Sequence, residues 1–234
     1  MDYLFATPYE IEQDPSGYHF SSDTELLGRF LVLSDDDRVL DVGTNNGALL
    51  CYAALHEPEL LAGIDLFPEV IELAEKNLSR NGIQAELSVS SLQSYRHDPF
   101  TAVICNPPYF ESLPEELKNR NPYLYAARHR DYLSVLELFE NSRRLLERGG
   151  RVMIVYPAEL SKDVFTTAGE TGFLLSRFCP VYDTQEGTLK RFLMEFALET
   201  EVPLKLLRPV YLDCLHSEYV QTVEIDRPLN KRIF

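Results

Sequence analysis

The chain has 234 residues with a hydrophobic fraction of 45%, enough for an α/β domain with modest extensions and too much for wholesale disorder. No apolar run approaches bilayer-crossing length, and the start MDYLFATPYE lacks the charged-then-apolar pattern of a signal peptide, so a cytoplasmic protein without membrane contact is expected. The net charge of −15, taken alone, argues against a nucleic-acid partner, because phosphate binding needs cationic surface.

Residues 1–20 show no sustained periodicity and are expected to lie irregularly on the surface. Ser22-Asp23-Thr24-Glu25 is a capping-box pattern that opens a helix to about Leu33. RVLDV (38–42) reads as a short apolar strand ending in a glycine-containing turn, with a helix over 46–56. LLAGID (60–65) is the next strand. Pro68 then suits a first helical turn, VIELAEKNL has apolar residues at helical spacing, and Asn81-Gly82 ends the helix. AELSV (85–89) and TAVIC (101–105) are the third and fourth strands. Residues 131–147 form an amphipathic helix closed by Gly149-Gly150, RVMIVY (151–156) a fifth strand, and 159–171 a further helix. FLLSRFCPVY (173–182) and TLKRFLMEFAL (188–198) are two final strands joined by a turn near Glu186-Gly187. This alternation implies a seven-stranded, mostly parallel sheet with helices on both faces and an antiparallel last strand. No repeat or linker divides the chain. One domain is expected, with an N-terminal segment and lid helix (1–35), a core (36–200) and a C-terminal extension (201–234).

The charge is unevenly spread. Residues 1–75 hold 16 acids against Arg29 and Arg38, whereas 118–151 hold eight bases (Lys118, Arg120, Arg128, Arg130, Arg143, Arg144, Arg148, Arg151) against four acids. A phosphate track and ordinary solvated helix faces are equally compatible with that segment. Four scattered cysteines (Cys51, Cys105, Cys179, Cys214) without CxxC spacing read as reduced thiols. The five histidines show no metal-ligand spacing, and no metal is expected. His19 and His129 read as packing or partly exposed structural residues.

The first strand delivers Asp41-Val42-Gly43-Thr44-Asn45-Asn46-Gly47, a small-residue turn that lets a ligand approach the backbone. Asn tolerates the left-handed conformation, so Asn45 and Asn46 need not break it. The second strand ends at Asp65, where a carboxylate can accept hydrogen bonds from ribose hydroxyls. Turn and acid together fit a nucleoside-containing cofactor without separating NAD from S-adenosylmethionine.

Asn106-Pro107-Pro108-Tyr109 follows the fourth strand, at the carboxyl edge where α/β sites are built. An exocyclic amine is a poor nucleophile, because its lone pair is drawn into the ring. The Asn106 side-chain oxygen can accept one N–H and the Pro107 carbonyl the other, and both bonds strengthen as positive charge builds on nitrogen. Consecutive prolines stiffen the loop that holds the two acceptors. Tyr109 and Phe110 offer faces for stacking a base.

These stretches give the chain its resemblance. It looks like the class I S-adenosylmethionine-dependent methyltransferases, a Rossmann-like fold, in the group carrying NPPY. More narrowly it resembles the bacterial tRNA adenine-N6 methyltransferases acting on a valine tRNA. The supporting segments are QDPSGYHFSSDTELLGRF (13–30), VLDVGTNNGALL (39–50), GIDLFPEVIELAEKN (63–77), FTAVICNPPYF (100–110), AARHR (126–130) and SEYVQTVE (217–224). The resemblance implies that Gly43, Asn45 and Gly47 border the cofactor's methionine part and that Asp65 holds its ribose. It further implies cofactor contacts at Asp41, Thr44, Leu66, Ser91 and Asn106, with Tyr18, Phe20 and Asp23 in a segment folding over the pocket. Asn106, Pro107, Pro108 and Tyr109 would receive the target amine, and Tyr109, Phe110, Arg128 and Arg130 would contact a tRNA substrate. The family's turn commonly has Gly where this chain has Asn45. It often has an acid after the third strand where this chain has Ser90-Ser91-Leu92-Gln93. A serine, Gln93 or a backbone carbonyl would then serve the cofactor's adenine.

Two other functions fit part of the pattern. A protein glutamine-N5 methyltransferase uses the same NPPY logic, but usually carries an added N-terminal helical domain. A non-catalytic S-adenosylmethionine-binding module draws support from Asn45 and the acidic surface. A monomer is expected.

Overall fold

The computed structural model describes residues 2–13, 21–109 and 133–214. Its strands are apolar on successive residues rather than alternate ones, and the structure buries both sides. Val39 of β3 (Arg38–Val42) joins one core and Leu40 and Val42 the other. Ala102 and Ile104 of β6 (Phe100–Cys105) likewise face opposite to Val103 and Cys105. A sheet covered on both faces accounts for such runs.

The central sheet runs β5 (Glu86–Val89), β4 (Leu60–Asp65), β3, β6, β7 (Leu146–Pro157), β9 (Leu189–Leu198), β8 (Phe173–Tyr182). The first five are parallel, and β9 is inserted antiparallel between β7 and β8. These are the seven strands read from the sequence. Two dipeptide strands, β10 (Lys205–Leu206) and β11 (Val210–Tyr211), extend the edge by pairing parallel to β8. The helices α1 (Ser22–Phe30) and α2 (Ala48–Ala54) and Leu78 of α3 (Pro68–Arg80) pack in one core. On the opposite face lie α4 (Val135–Leu145) and α5 (Ser161–Glu170).

Several boundaries differ from the sequence reading. Residues 2–13 are not an irregular surface segment. β1 (Asp2–Tyr3) and β2 (Glu10–Ile11) form a small antiparallel ladder, and Leu4 and Ile11 are fully buried. The buried amide of Asn77 clamps that segment: it accepts from the Glu12 N–H at 2.7 Å and donates to the Glu12 carbonyl at 2.9 Å. The capping box sits one residue earlier than read. Ser21 is the cap, and the Thr24 hydroxyl accepts from its N–H at 3.5 Å. Glu25 instead makes a buried ion pair with Arg29 at 3.2 Å. α1 stops at Phe30, and α4 starts after the Ser134 cap, whose hydroxyl accepts from the Glu137 N–H. Residues 131 and 132 lie outside the described residues, as do 14–20, 110–130 and 215–234.

Polar side chains bind layers of the fold together. Arg177 of β8 pairs with Glu195 of β9 at 2.7 Å and donates to the Phe30 carbonyl at 2.9 Å, tying α1 to the antiparallel strands. Arg151 contacts both oxygens of Asp37 at 2.8 Å, with the Thr101 hydroxyl donating to the same carboxylate. Those partners outweigh the opposing effect of burial and hold the Asp37 carboxyl below the usual range. Arg143 pairs with Glu199, and Arg144 donates to the Leu92 and Tyr95 carbonyls. So three bases of the cationic segment secure the fold, and neither a phosphate track nor a solvated helix face describes them. Lys118, Arg120, Arg128 and Arg130 lie outside the described residues. Cys51, Cys105 and Cys179 are buried free thiols, and burial pushes Cys51 up to about 12. No helix among the described residues is long and apolar enough to cross a membrane.

Contact between α1 and α2 depends on the lack of a side chain at Gly28. A Cβ there would stand 2.2 Å from Cγ of Tyr52, which is only 2% exposed and whose hydroxyl donates to the Phe5 carbonyl. Gly28→Ala is therefore expected to cost about 1–3 kcal/mol through overpacking, read as a lower midpoint in chemical denaturation. An unchanged midpoint would mean that Tyr52 yields freely.

Candidate active site

Adjacent parallel strands place two loops side by side. Val42 pairs with Cys105 across β3 and β6, so the turn at Gly43 and the loop at Asn106 leave the same carboxyl edge one strand spacing apart.

The turn after β3 is built for close approach. Gly43 (φ +74) and Gly47 (φ +83) occupy the left-handed region, and a Cβ at Gly43 would meet nothing within 4 Å. Asn45 has φ +49, the conformation that the sequence reading allowed it. The Gly43 and Thr44 N–H groups both donate to the Ile64 carbonyl, at 2.9 and 3.0 Å. Asp65, at the end of β4, accepts from the Asn45 N–H at 3.1 Å and from the Leu66 N–H at 2.7 Å. Burial raises its carboxyl above the usual range against those bonds. Asp65 thus knits β4 to the turn, and a carboxylate has lone pairs beyond the bonds already made for a ribose.

Below the turn lies a set of orphaned polar atoms. Both carboxylate oxygens of Asp41, the Thr44 hydroxyl and the Asn46 side-chain nitrogen are buried without a hydrogen-bond partner. Burial pushes the Asp41 carboxyl up to about 7; the Thr44 hydroxyl lies near enough to oppose that shift without meeting hydrogen-bond geometry, and the nearby Asp65 charge adds to it. Buried acceptors and donors of this kind are costly unless a ligand engages them. A buried carboxylate suits a cationic ligand, and this donor set fits the methionine part of S-adenosylmethionine. Asn77 was missed by the sequence reading. Its amide donates to the Asn46 carbonyl at 2.9 Å, so one buried side chain fixes both the turn and the segment leading to residue 14.

On the neighbouring loop, Pro107 is buried while Asn106, Pro108 and Tyr109 are half-buried. The Asn106 amide nitrogen donates to the Thr24 hydroxyl at 3.4 Å. Its oxygen accepts from the Tyr109 hydroxyl. That hydroxyl also lies 3.1 Å from Asp23. The Tyr109 ring stands edge-on to Tyr156, with centroids 5.5 Å apart. Asp23 therefore meets the NPPY loop. Arg191 of β9 donates from Nε to both Asp23 oxygens at 3.1 Å, and its guanidinium lies 5.8 Å from the Tyr109 ring centroid. Nothing in the local sequence announces Arg191, because its partner is 168 residues away.

The loop after β5 joins Asp65 through a bond from the Ser90 N–H to the Asp65 carbonyl at 2.8 Å. There Ser91 shares a hydrogen bond with Ser94 at 2.8 Å, and Gln93 donates to Glu137 on α4 at 3.0 Å. Gln93 is thus engaged away from the loop, which leaves Ser90, Ser91 or a backbone carbonyl as the candidates for an adenine contact. Tyr18, Phe20, Phe110, Arg128 and Arg130 lie outside the described residues.

Known proteins share this architecture. The family model described as "Methyltransferase small domain" matches residues 16–164. A tRNA1(Val) (adenine(37)-N6)-methyltransferase from Vibrio campbellii is 29% identical over 193 residues, covering 81% of this chain and 80% of the relative. A protein of the same name from Parabacteroides distasonis is 29% identical, covering 81% of each chain. Among solved structures, a methyltransferase from Pyrococcus furiosus superimposes with a TM-score of 0.60 at 18% identity, over 81% of this chain and 88% of that one. A ribosomal protein L11 methylase from Lactobacillus delbrueckii does so with a TM-score of 0.57 at 19% identity, over 79% and 83%. With the family model spanning well over half of the sequence, the chain belongs to the methyltransferase small domain family and is an S-adenosylmethionine-dependent methyltransferase.

Proposed function

We propose that the protein methylates the exocyclic amino nitrogen of an adenine, the N6 position, in tRNA. The observation that carries this reading is the Asn106 amide at the end of β6, one strand spacing from the glycine turn of β3. The names of the relatives at about 29% identity support tRNA adenine as the substrate.

S-adenosylmethionine, when bound, supplies an electrophilic methyl group. Asp41, Thr44 and Asn46 would hold its methionine part, Gly43 and Gly47 would let it approach the backbone, and Asp65 would take the ribose hydroxyls. Asn106 accepts one N–H of the target amine through its side-chain oxygen, with Thr24 fixing the amide nitrogen and the oxygen keeping a second lone pair beyond the one that takes the Tyr109 hydroxyl. Pro107, anchored by burial, offers its carbonyl to the second N–H. Developing positive charge on the nitrogen strengthens both bonds, which lowers the barrier more than it stabilises the bound substrate. Tyr109 supplies a ring against one face of the base, backed by Tyr156. No side chain is required as a base, because the methylated amine loses its proton to solvent.

Incubating the protein with methyl-labelled cofactor and, separately, total tRNA and a release factor tests the substrate class. Label is expected in tRNA. Label in a release-factor glutamine and none in RNA would replace this reading with glutamine-N5 methylation.

A further inference from the structure

Glu10 and Glu12 turn their N–H and C=O groups toward α3, as alternate residues of a strand turn theirs to one edge. In place of a partner strand they meet two asparagine amides one helical turn apart. Asn81 accepts from the Glu10 N–H at 3.2 Å and donates to the Glu10 carbonyl at 2.8 Å. Asn77 does the same at Glu12, at 2.7 and 2.9 Å. The two differ in where the second N–H of the amide goes. From Asn81 it returns to its own helix, to the Asn77 carbonyl at 2.8 Å. From Asn77 it crosses to the Asn46 carbonyl in the turn after β3, at 2.9 Å. Both N–H groups of the buried Asn77 are therefore engaged, one on the N-terminal segment and one on the turn.

Asn46 is itself buried, and its side-chain nitrogen is one of the orphaned atoms below the turn. Ala74 and Leu78 of α3 brace the same turn, lying 3.6 and 3.4 Å from where a Cβ would stand on Gly47. We propose that Asn77 is a positioning residue for the cofactor, linking its binding at the turn to the docking of residues 10–12. This rests on the reading of the turn as the cofactor's seat and is independent of which amine is methylated. One planar amide holds the Glu12 N–H, the Glu12 carbonyl and the Asn46 carbonyl, so none of them moves without disturbing the others. When the segment lifts away, the amide loses two of its three bonds and is free to rotate. The Asn46 carbonyl is then left to a donor with no fixed direction, and the turn loosens. A cofactor that binds the ordered turn favours the docked segment, and the docked segment favours the cofactor by the same factor. One buried hydrogen bond sets that factor at about tenfold.

Amide exchange followed by NMR, with and without saturating S-adenosylmethionine, reads the link directly. In the wild-type protein the Glu10 and Glu12 amides are expected to exchange about tenfold more slowly with cofactor. That slowing is counted beyond any shared by the amides of α5 on the opposite face, which report global stabilisation. Asn81 supplies the contrast, because it grips the same segment without reaching the turn. In Asn81→Ala the Glu10 amide should exchange faster in both states and keep its cofactor-dependent slowing, with the cofactor Kd moving by less than about threefold. In Asn77→Ala the slowing at Glu10 should vanish and the Kd should rise by about tenfold.

Exchange at Glu10 and Glu12 that ignores the cofactor in the wild-type protein would overturn the proposal, and that arm requires no variant to fold. A slowing in Asn77→Ala as large as in the wild type would also overturn it, since the link would then run by another route. The same spectra keep the two readings apart. If the Gly43, Asn45 and Gly47 amide resonances do not shift on adding cofactor, the turn is not its seat, and the link falls with the site. If they shift while Glu10 and Glu12 keep their exchange rates, the site stands and the link through Asn77 is refuted.

Discussion

Asn106→Ala is expected to reduce single-turnover methyl transfer by about a hundred- to a thousandfold while changing cofactor affinity by less than about threefold. The asymmetry follows from where the residue stands. Its amide leaves β6 beside the glycine turn but is bonded to Thr24 and Tyr109, neither of them part of the turn. What the substitution removes is an acceptor whose bond grows stronger as charge develops on the amine, so the loss appears in the chemical step. A parallel loss of cofactor affinity would place Asn106 in the cofactor site instead. Near-normal turnover would remove the amine-acceptor role altogether. Asn106→Asp should be the milder change only where the substrate amine can be held by a charged acceptor. It loses the amide nitrogen that donates to Thr24.

Asp41→Asn is expected to stabilise the protein at pH 8 in the absence of cofactor and to weaken cofactor binding at the same time. The Asp41 carboxyl is pushed up to about 7 from a reference value of 3.8, mainly by complete burial. Between those two values the folded state keeps a proton that the unfolded state has lost. Stability therefore falls as pH rises through that window and is lowest above it. An amide in place of the carboxyl removes the ionisation. The variant should gain on the order of a few kcal/mol at pH 8 and little at pH 4, measured by chemical denaturation at both. Cofactor affinity should fall by about ten- to a hundredfold, the range of a lost charge-assisted hydrogen bond. A protein less stable at both pH values would mean that the carboxylate has partners within the fold. Unchanged affinity would mean that the orphaned oxygens do not face the ligand.

Most of the fold could be read from local patterns, because a doubly covered parallel sheet writes each strand as an apolar run and each helix at its own spacing. All seven body strands follow from that, and the lack of a helix between the last two makes them antiparallel neighbours, whereas the insertion of β9 between β7 and β8 has no local signal. Dipeptide strands such as β1 and β10 carry no period, and nothing marks Leu4 and Ile11 as core until Asn77 is seen reaching across 65 residues to Glu12. The cap of α1 slipped by one position because Ser21 and Ser22 are chemically equivalent, and only the extended backbone at Ser21 separates them. That slip had a consequence: with Thr24 rather than Glu25 closing the cap, the Thr24 hydroxyl also meets Asn106.

In the site, the residues legible in advance were those with a local reason to be there. Gly43 and Gly47 adopt the positive φ that only a tight turn demands, and Asn45 takes the one conformation that lets it replace a glycine. Asp65 sits where a strand end meets the turn. Arg191 was not legible, since its site role comes from tertiary pairing with Asp23. The cationic segment is instructive in the other direction. Arg143, Arg144 and Arg151 look like a nucleic-acid track as a string of bases, yet each is engaged by a carboxylate or by backbone carbonyls.

If the chain presents acceptors to an exocyclic amine, the transferred methyl group must land on that nitrogen. Total tRNA treated with the purified protein and deuteromethyl-labelled cofactor would be digested to nucleosides and resolved by mass spectrometry. The label is expected in N6-methyladenosine. Label on a ring nitrogen, a ring carbon or the ribose hydroxyl would contradict it.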